Sequence, residues 1–239
     1  MCHLCICGQG IDWEDLKAAD EAMDASYVEE IQTPWSRESP LTRLLLHDAG
    51  PNGKSKFHQM DIWHAIHLGI GKSWIASGVL MLQKIIPESN IDKRVAVIAA
   101  GYKDFCKREK IDPVIRRIDK ETFGQSSKER TGSWNKAAVT SNFMRYLEDF
   151  CREHAEQIRG DERLKIFCFF PAMAHGTQCV NRFMKGIYEQ DVFIDSGVAG
   201  HLSDCLYQFI AAYCYQADAA FQAGEVLFAL FPKLHAVHE

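Results

Sequence analysis

The chain has 239 residues, of which 47% are hydrophobic, 25% charged and 11% aromatic. These fractions are typical of globular proteins, so disorder over most of the length is excluded, because enough apolar surface is present to offset the entropy of ordering. The net charge of −5 argues against a protein that coats nucleic acid over its whole surface. No stretch reaches the roughly 18 apolar residues of a membrane helix, and the first residues lack a signal-peptide pattern, so we expect an intracellular protein without a membrane partner.

The first part of the chain predicts three short features. Cys2, Cys5 and Cys7 form a cysteine-rich turn, and Asp12–Ile31 has the pattern of an acidic amphipathic helix. Thr33–Lys56 contains several prolines and glycines and predicts an irregular connector. We therefore expect residues 1–56 to be separate from a helical domain over residues 57–239.

The remainder of the chain has mostly helical periodicity. Asp61–Ile86 is the clearest helix, with apolar residues near 3.6-residue spacing and a proline directly after it. A polar loop is expected over Glu121–Gly132, and Arg163–Phe170 predicts either a strand or a buried helix. The other predicted helices are Asp92–Lys110, Asp112–Ile118, Ser133–Ile158, Gly176–Tyr188, Ser196–Ala223 and Glu225–Phe231. The predicted fold is mainly α, an irregular multi-helix domain with a cysteine-rich N-terminal turn and little or no sheet.

Charge is unevenly distributed along the chain. Residues 1–50 carry three basic and ten acidic groups, whereas residues 84–136 carry thirteen basic and eight acidic groups. A basic middle segment predicts a surface that faces phosphate. The alternative is a solvated helical face that pairs with acidic neighbours in the fold.

Nine cysteines suggest two different roles. Six lie singly in apolar contexts, where a reduced thiol behaves as a small hydrophobe, and the odd count opposes a disulfide framework or a disulfide-linked partner. The Cys-x-x-Cys spacing of Cys2 and Cys5 lets two thiolates reach one Zn²⁺, with His3 or Cys7 as a third ligand. A structural zinc site needs four ligands, so a distant histidine would complete it; ordinary reduced cysteines are the alternative.

A carboxylate and two histidines lie at helical spacing in the Asp-x-x-His-x-x-His motif. On a helix Asp61, His64 and His67 share one broad face, where they could bind a divalent ion or position a proton transfer. The alternative is that Asp61 caps the helix while both histidines pack, half-buried and hydrogen-bonded, in the core. The same spacing recurs in His235 and His238, so the two segments could converge on one metal site.

The loop that ends at Lys136 combines basic side chains with a tryptophan. Trp134 could stack on a base while Lys128, Arg130 and Lys136 contact phosphates. The alternative is that Ser133 caps the following helix and Trp134 packs in the core. Both interpretations remain open at this point.

Several of these motifs occur together in an order that resembles a known family. They are Cys2-His3-Leu4-Cys5, Thr33-Pro34-Trp35, Asp61-x-x-His64-x-x-His67-x-Gly69, Gly132-Ser133-Trp134-x-Lys136 and Pro232-Lys233-x-His235-x-x-His238. The order resembles that of large multicopy proteins of dinoflagellate genomes, which in turn are similar to the C-terminal part of CACTA- and plavaka-like transposases. The resemblance covers nearly the whole chain through short motifs.

The resemblance implies a segment of an RNase H-like nuclease interrupted by a helical insertion. Carboxylates in such enzymes hold two Mg²⁺ or Mn²⁺ ions that activate water and stabilise the leaving oxygen. Asp61 matches the family's Asp–His motif, and Glu239 is the second acid beside the terminal histidines. This sequence lacks a recognisable strand-borne first aspartate and an upstream zinc pair, so we expect a catalytically incomplete fragment.

Three functions follow as hypotheses. The first is a mobile-element-derived, transposase-like fragment that binds DNA or metal. The second is a non-enzymatic helical interaction module with a small N-terminal zinc knuckle. The third is a metal-dependent hydrolase that uses the two His-x-x-His segments.

Overall fold

The computed structural model describes residues 61–128, 130–156, 169–191 and 194–230. The chain divides into two compact units, one of which contains Trp63–Leu230. Of the described residues 73% are helical and none forms a strand, which confirms the mainly α prediction. The cysteine-rich turn, the predicted helix Asp12–Ile31 and the connector Thr33–Lys56 lie outside the described residues.

Helices of very different length make up this unit. A π-helical turn over Ile66–Ile70 joins the first two, and 3₁₀ turns occupy Gln83–Ile85 and Lys120–Phe123. The α-helices are α1 (Ile62–Ala65), α2 (Gly71–Leu82), α3 (Ile91–Glu109), α4 (Ala137–Glu153), α5 (Phe169–Tyr188) and α6 (Ser196–Gln222).

Side-chain caps begin two of the long helices. The Asn90 carboxamide oxygen accepts a hydrogen bond from the Lys93 amide at 2.8 Å, so α3 begins one residue earlier than predicted. The Asp195 carboxylate accepts from the Gly197 amide at 2.8 Å and begins α6 at the predicted residue. Asp61 directly precedes the first residue of α1, in the position that the sequence assigned to a cap.

The predicted helix Asp112–Ile118 is wrong, because this segment is irregular backbone. The Asp112 carboxylate accepts from the Val114 amide at 2.7 Å, and Val114 has a left-handed φ of 63°. An aspartate that bonds the backbone two residues on competes with helix formation. The Tyr102 hydroxyl then donates to the Pro113 carbonyl at 2.9 Å and fixes the segment against α3.

The predicted helix Glu225–Phe231 is also wrong over its described residues. Gly224, with φ of 72°, ends α6 and turns the chain, because this left-handed conformation is open to glycine. The Phe228 amide donates to the Ser77 hydroxyl at 2.8 Å, and the Tyr213 hydroxyl donates to the Ala229 carbonyl. These hydrogen bonds to distant residues replace the backbone hydrogen bonds that a helix would have made.

The start of α4 lies four residues later than predicted. The Ser133 amide donates to the Thr122 carbonyl at 3.0 Å, so this serine belongs to the preceding loop and caps no helix. The helix begins at Ala137. The side-chain pattern thus predicts the helix α4 correctly but places its first residue about one turn too early.

Helix α2 is the centre of the unit. Every residue of Gly71–Leu82 except Lys72 is buried, and the Trp74 indole donates to the Thr177 hydroxyl at 2.9 Å. Aromatic rings from α6 and from the segment after it surround Trp74; they are Phe209, Tyr213 and Phe228. Ile62–Ile85 is long and apolar enough to cross a membrane, but 89% of its most apolar window is buried, as in the core helix of a soluble protein.

A second aromatic cluster joins α3 to α4. The Tyr102 and Phe143 rings stack with centroids 4.1 Å apart, and the Phe143 ring also stacks with Trp134 at 5.5 Å. The Tyr146 hydroxyl donates to the Ile98 carbonyl at 3.3 Å. This cluster holds α3 against α4, whereas the cluster at Trp74 and the hydrogen bond to Thr177 hold α6 and α5 against α2.

Candidate functional site

The predicted acid–histidine cluster divides between surface and core. Asp61 and His64 are exposed, whereas only 2% of His67 is accessible. Over the described ranges, no group of three or more His, Cys, Asp or Glu side chains is arranged to hold a metal ion. Cys2, Cys5, Cys7, His235, His238 and Glu239 lie outside the described residues, so their predicted roles stay predictions.

Both ring nitrogens of His67 have hydrogen-bond partners. Nδ1 lies 3.2 Å from the Trp63 carbonyl oxygen, and Nε2 lies 2.9 Å from the Ser141 hydroxyl. A carbonyl oxygen only accepts, so Nδ1 carries a proton; in the neutral ring Nε2 then accepts from Ser141. A metal ion at Nε2 would have to displace the serine.

A buried relay holds the backbone of His67 in place. The Trp134 indole donates to the Thr140 hydroxyl at 2.8 Å, and Thr140 donates to the His67 carbonyl at 2.6 Å. π-Helical turns leave carbonyls without their usual helical partner and occur often at functional sites. The relay satisfies one such carbonyl and attaches the π-turn to α4.

His67 and Ser141 lie in the wall of a cleft between the π-turn, α4 and α5. The cleft has a volume of about 680 Å³. Apolar and charged side chains both line it. The apolar side chains include Ile66, Met144, Val180, Met184 and Tyr188. The charged side chains are Arg145, Glu148, Arg182, Lys185 and Glu189. We call this space the cleft below.

The charged side chains of the cleft differ in their pairing. Arg145 donates to Glu109 at 3.0 Å, and the Lys185 ammonium lies 3.7 Å from the Glu189 carboxylate. Arg182 makes no ion pair within the described ranges. The cleft therefore offers one cation that is not neutralised by a neighbouring acid.

The residues predicted to bind nucleic acid also divide between the core and the surface. Trp134 is 6% accessible and its ring packs on Phe143, so this indole presents no face to a base and lies where the core alternative expects it. Arg130 is half-buried and its guanidinium is 3.5 Å from the Gly124 carbonyl. Lys128 and Lys136 are exposed.

Lys136 shares a pocket with two further cations. This cationic pocket has a volume of about 420 Å³ and is lined by Lys103 from α3, Arg116 from the irregular segment, Lys136 before α4, and Asp112. None of the three cations forms an ion pair in the part of the chain that the structure describes. Asp112 already uses one carboxylate oxygen to accept from the Val114 amide.

The described cysteines are free thiols inside the fold. Cys106, Cys151, Cys179 and Cys205 are buried and Cys214 is half-buried. Burial raises the pKa of the Cys151 thiol to about 12 and that of Cys214 to about 11, because the thiolate loses its hydration. These residues fill space as small hydrophobes, as expected for reduced cysteines.

Sequence reasoning missed Ser141, Lys103 and Arg116. Ser141 lies 74 residues from His67, and nothing in either local pattern connects them. The basic middle segment includes Lys103 and Arg116, but only the fold distinguishes these two from the other cations among its thirteen.

A scan against protein-family models and searches of curated proteins and of solved structures find no match to this chain.

Proposed function

We propose that this chain is a mobile-element-derived, transposase-like domain that binds the phosphate backbone of DNA and does not cleave it. The observation that carries the proposal is the convergence of Lys103, Arg116 and Lys136 on one pocket. Three cations and one carboxylate, Asp112, line this pocket, so its net charge is positive and favours a phosphate anion.

The composition of the pocket favours phosphate over a carboxylate partner within the fold. Two neighbouring cations of the basic segment are matched by acids: Arg117 lies 3.0 Å from Asp119, and Lys120 lies 3.3 Å from Asp92. The three pocket cations are exposed and lack such partners in the described ranges. They are therefore available to a ligand without the loss of an existing ion pair.

Binding without cleavage is the better hypothesis for the described unit. Two-metal cleavage needs several carboxylates around one position. The described residues contain no such group of ligands. The proposal therefore rests on backbone binding, and the catalytic roles of Asp61 and Glu239, with Mg²⁺ or Mn²⁺, stay predictions.

A helical interaction module is the second candidate. Phe221 is 78% accessible and Val226 is 65% accessible, where α6 ends and the chain turns. Exposed apolar side chains of this size are common in protein-binding surfaces. This candidate requires a protein partner and does not require the cationic pocket.

The test is DNA binding by the intact chain and by a pocket variant. Fluorescence anisotropy with a labelled DNA duplex, at a series of salt concentrations, gives the affinity and its salt dependence. In the triple variant Lys103→Gln, Arg116→Gln, Lys136→Gln we expect the affinity to fall at least about tenfold at low salt, with a log–log salt slope smaller by roughly 2–3.

A matched lysine on the same helix provides the control. Lys93 and Lys103 are both exposed on α3, but only Lys103 lines the pocket. Lys103→Gln should weaken binding, whereas Lys93→Gln should leave it within about twofold. Absence of binding by the intact chain, or equal effects of the two single substitutions, would refute the proposal.

A further inference from the structure

We propose that Ser141 and His67 form a nucleophile–base pair that hydrolyses a carboxylic ester bound in the cleft. This activity is separate from DNA binding, because the cleft and the cationic pocket share no lining residue. The three-part arrangement that such a pair requires is present in the structure: a nucleophile, a base and a group that orients the base.

The serine and the histidine have the required contact. The Ser141 hydroxyl lies 2.9 Å from His67 Nε2, and its other acceptor, the Ala137 carbonyl, is farther away at 3.5 Å. The hydroxyl proton is therefore directed to the imidazole. A base within 2.6–3.2 Å of the hydroxyl is within reach for proton transfer.

The histidine is held in the tautomer that accepts this proton. The Trp63 carbonyl lies 3.2 Å from Nδ1, which fixes the ring proton on that nitrogen and leaves Nε2 as acceptor. The carbonyl thus orients the ring as a carboxylate does in a catalytic triad. The Thr140 relay to the His67 carbonyl fixes the backbone on which the ring stands.

The serine also faces a ligand-sized space. Ser141 is half-buried and lines the cleft, whose volume of about 680 Å³ lies within the range of small-molecule sites. Ile66, Met144 and Val180 provide an apolar wall for an acyl chain. Arg182, which makes no ion pair in the described ranges, lines the same cleft.

The reaction proceeds in two balanced halves. The Ser141 Oγ forms a bond to the acyl carbon while its proton moves to His67 Nε2. The ester C–O bond then breaks, and the proton passes from Nε2 to the oxygen of the leaving alcohol. Water repeats both steps on the acyl-serine and releases a carboxylic acid, which restores the hydroxyl and the neutral imidazole.

Covalent labelling tests the nucleophile directly. The intact protein is incubated with an alkyl fluorophosphonate, and peptide mass spectrometry locates the adduct; hydrolysis of p-nitrophenyl butyrate is measured in parallel. We expect an adduct on Ser141 and an ester hydrolysis rate at least about tenfold above that of Ser141→Ala. Ser203→Ala is the matched control, since Ser203 is an exposed helical serine on α6, and it should leave both readouts unchanged.

A second substitution tests the base. His67→Gln places a non-basic carboxamide in a similar space and removes the basic ring nitrogen, so labelling should slow at least about tenfold in variant protein that retains its helical circular dichroism. If this variant does not fold, the proposal is tested by the position of the adduct in the intact protein and by the rate of ester hydrolysis by Ser141→Ala. Absence of an adduct on Ser141, or equal hydrolysis by Ser141→Ala, would overturn the proposal and leave the pair as a structural hydrogen bond.

Discussion

Thr140 connects three parts of the unit through one hydroxyl group. The hydroxyl accepts from the Trp134 indole and donates to the His67 carbonyl, and all three residues are buried. The same hydroxyl therefore satisfies a donor from the loop and an acceptor from the π-turn. Buried polar groups without partners are costly, so this small side chain has a large influence on the local free energy.

Substitution of Thr140 measures that influence. Thr140→Val keeps the shape but leaves the Trp134 N–H and the His67 carbonyl without a partner, so we expect a loss of about 2–4 kcal/mol in the free energy of unfolding. Thr140→Ser keeps the hydroxyl and should cost only about 1 kcal/mol for the lost methyl group. Urea unfolding followed by circular dichroism distinguishes these values. A similar loss of unfolding free energy in both variants would show that the hydrogen bonds of the Thr140 hydroxyl do not stabilise the fold.

The two motif histidines lie on either side of the start of the π-turn and differ in burial. On a regular helix His64 and His67 lie on one broad face, but the structure exposes the first and buries the second. The turn over Ile66–Ile70 has non-helical dihedral angles at Gly69 and precedes the buried Gly71. Helical spacing predicted the segment well, but a change of helical register inside it leaves no periodic signal.

Glycines set the distance between helices α5 and α6. A Cβ on Gly176 would lie 2.9 Å from the Ala212 Cβ and 3.0 Å from the Trp74 ring, so α5, α6 and α2 approach closely here. A Cβ on Gly200 would meet nothing within 4 Å. The two glycines are thus a matched pair, one in a tight contact and one in open space.

We predict opposite effects of alanine at these two positions. Gly176→Ala should lower the free energy of unfolding by about 1–3 kcal/mol, because the added methyl group forces apart well-packed helices. Gly200→Ala should raise it by about 0.5–1 kcal/mol, because alanine favours a helix and costs nothing in packing. Thermal and urea melts give both signs; a stabilised Gly176→Ala variant would contradict the close approach.

The sequence predicted the elements of this unit better than it predicted their ends or their site. The helical patterns of α4 and α6 are local, so both helices were predicted. The irregular backbone at Val114 follows from a local hydrogen bond to Asp112. That at Phe228 depends on Ser77, 151 residues away, and local patterns carry no information about such a contact. The pairing of Ser141 with His67 and of Lys103 with Lys136 has the same origin in tertiary packing.

At the scale of the whole unit, buried thiols and phenols make the free energy of unfolding fall as the pH becomes alkaline. Burial raises the pKa of Cys151 to about 12 and also raises the pKa values of Tyr102, Tyr146 and Tyr213. These groups are neutral acids when folded and ionise more readily when unfolded. Stability is therefore complete below the unfolded thiol pKa near 9 and is lost as the pH rises toward the folded value.

A cysteine variant isolates one part of this dependence. Between pH 8 and pH 10 the intact protein should lose about 1 kcal/mol more unfolding free energy than Cys151→Ala, because only the intact protein releases the Cys151 proton on unfolding. Urea unfolding at both pH values, under reducing conditions, gives the difference. Parallel losses in the two proteins would show that Cys151 does not contribute.

The bond between the Phe228 amide and the Ser77 hydroxyl has a consequence for synthesis of the protein. It joins residues 151 positions apart and brings the Phe228 ring beside Trp74, the centre of the core. During translation α2 is made early, yet the side chains that cover Trp74 from α6 and the following segment emerge much later. A nascent chain thus carries a long apolar helix with an incomplete covering until residue 228 has left the ribosome, an exposure of the kind that chaperones recognise.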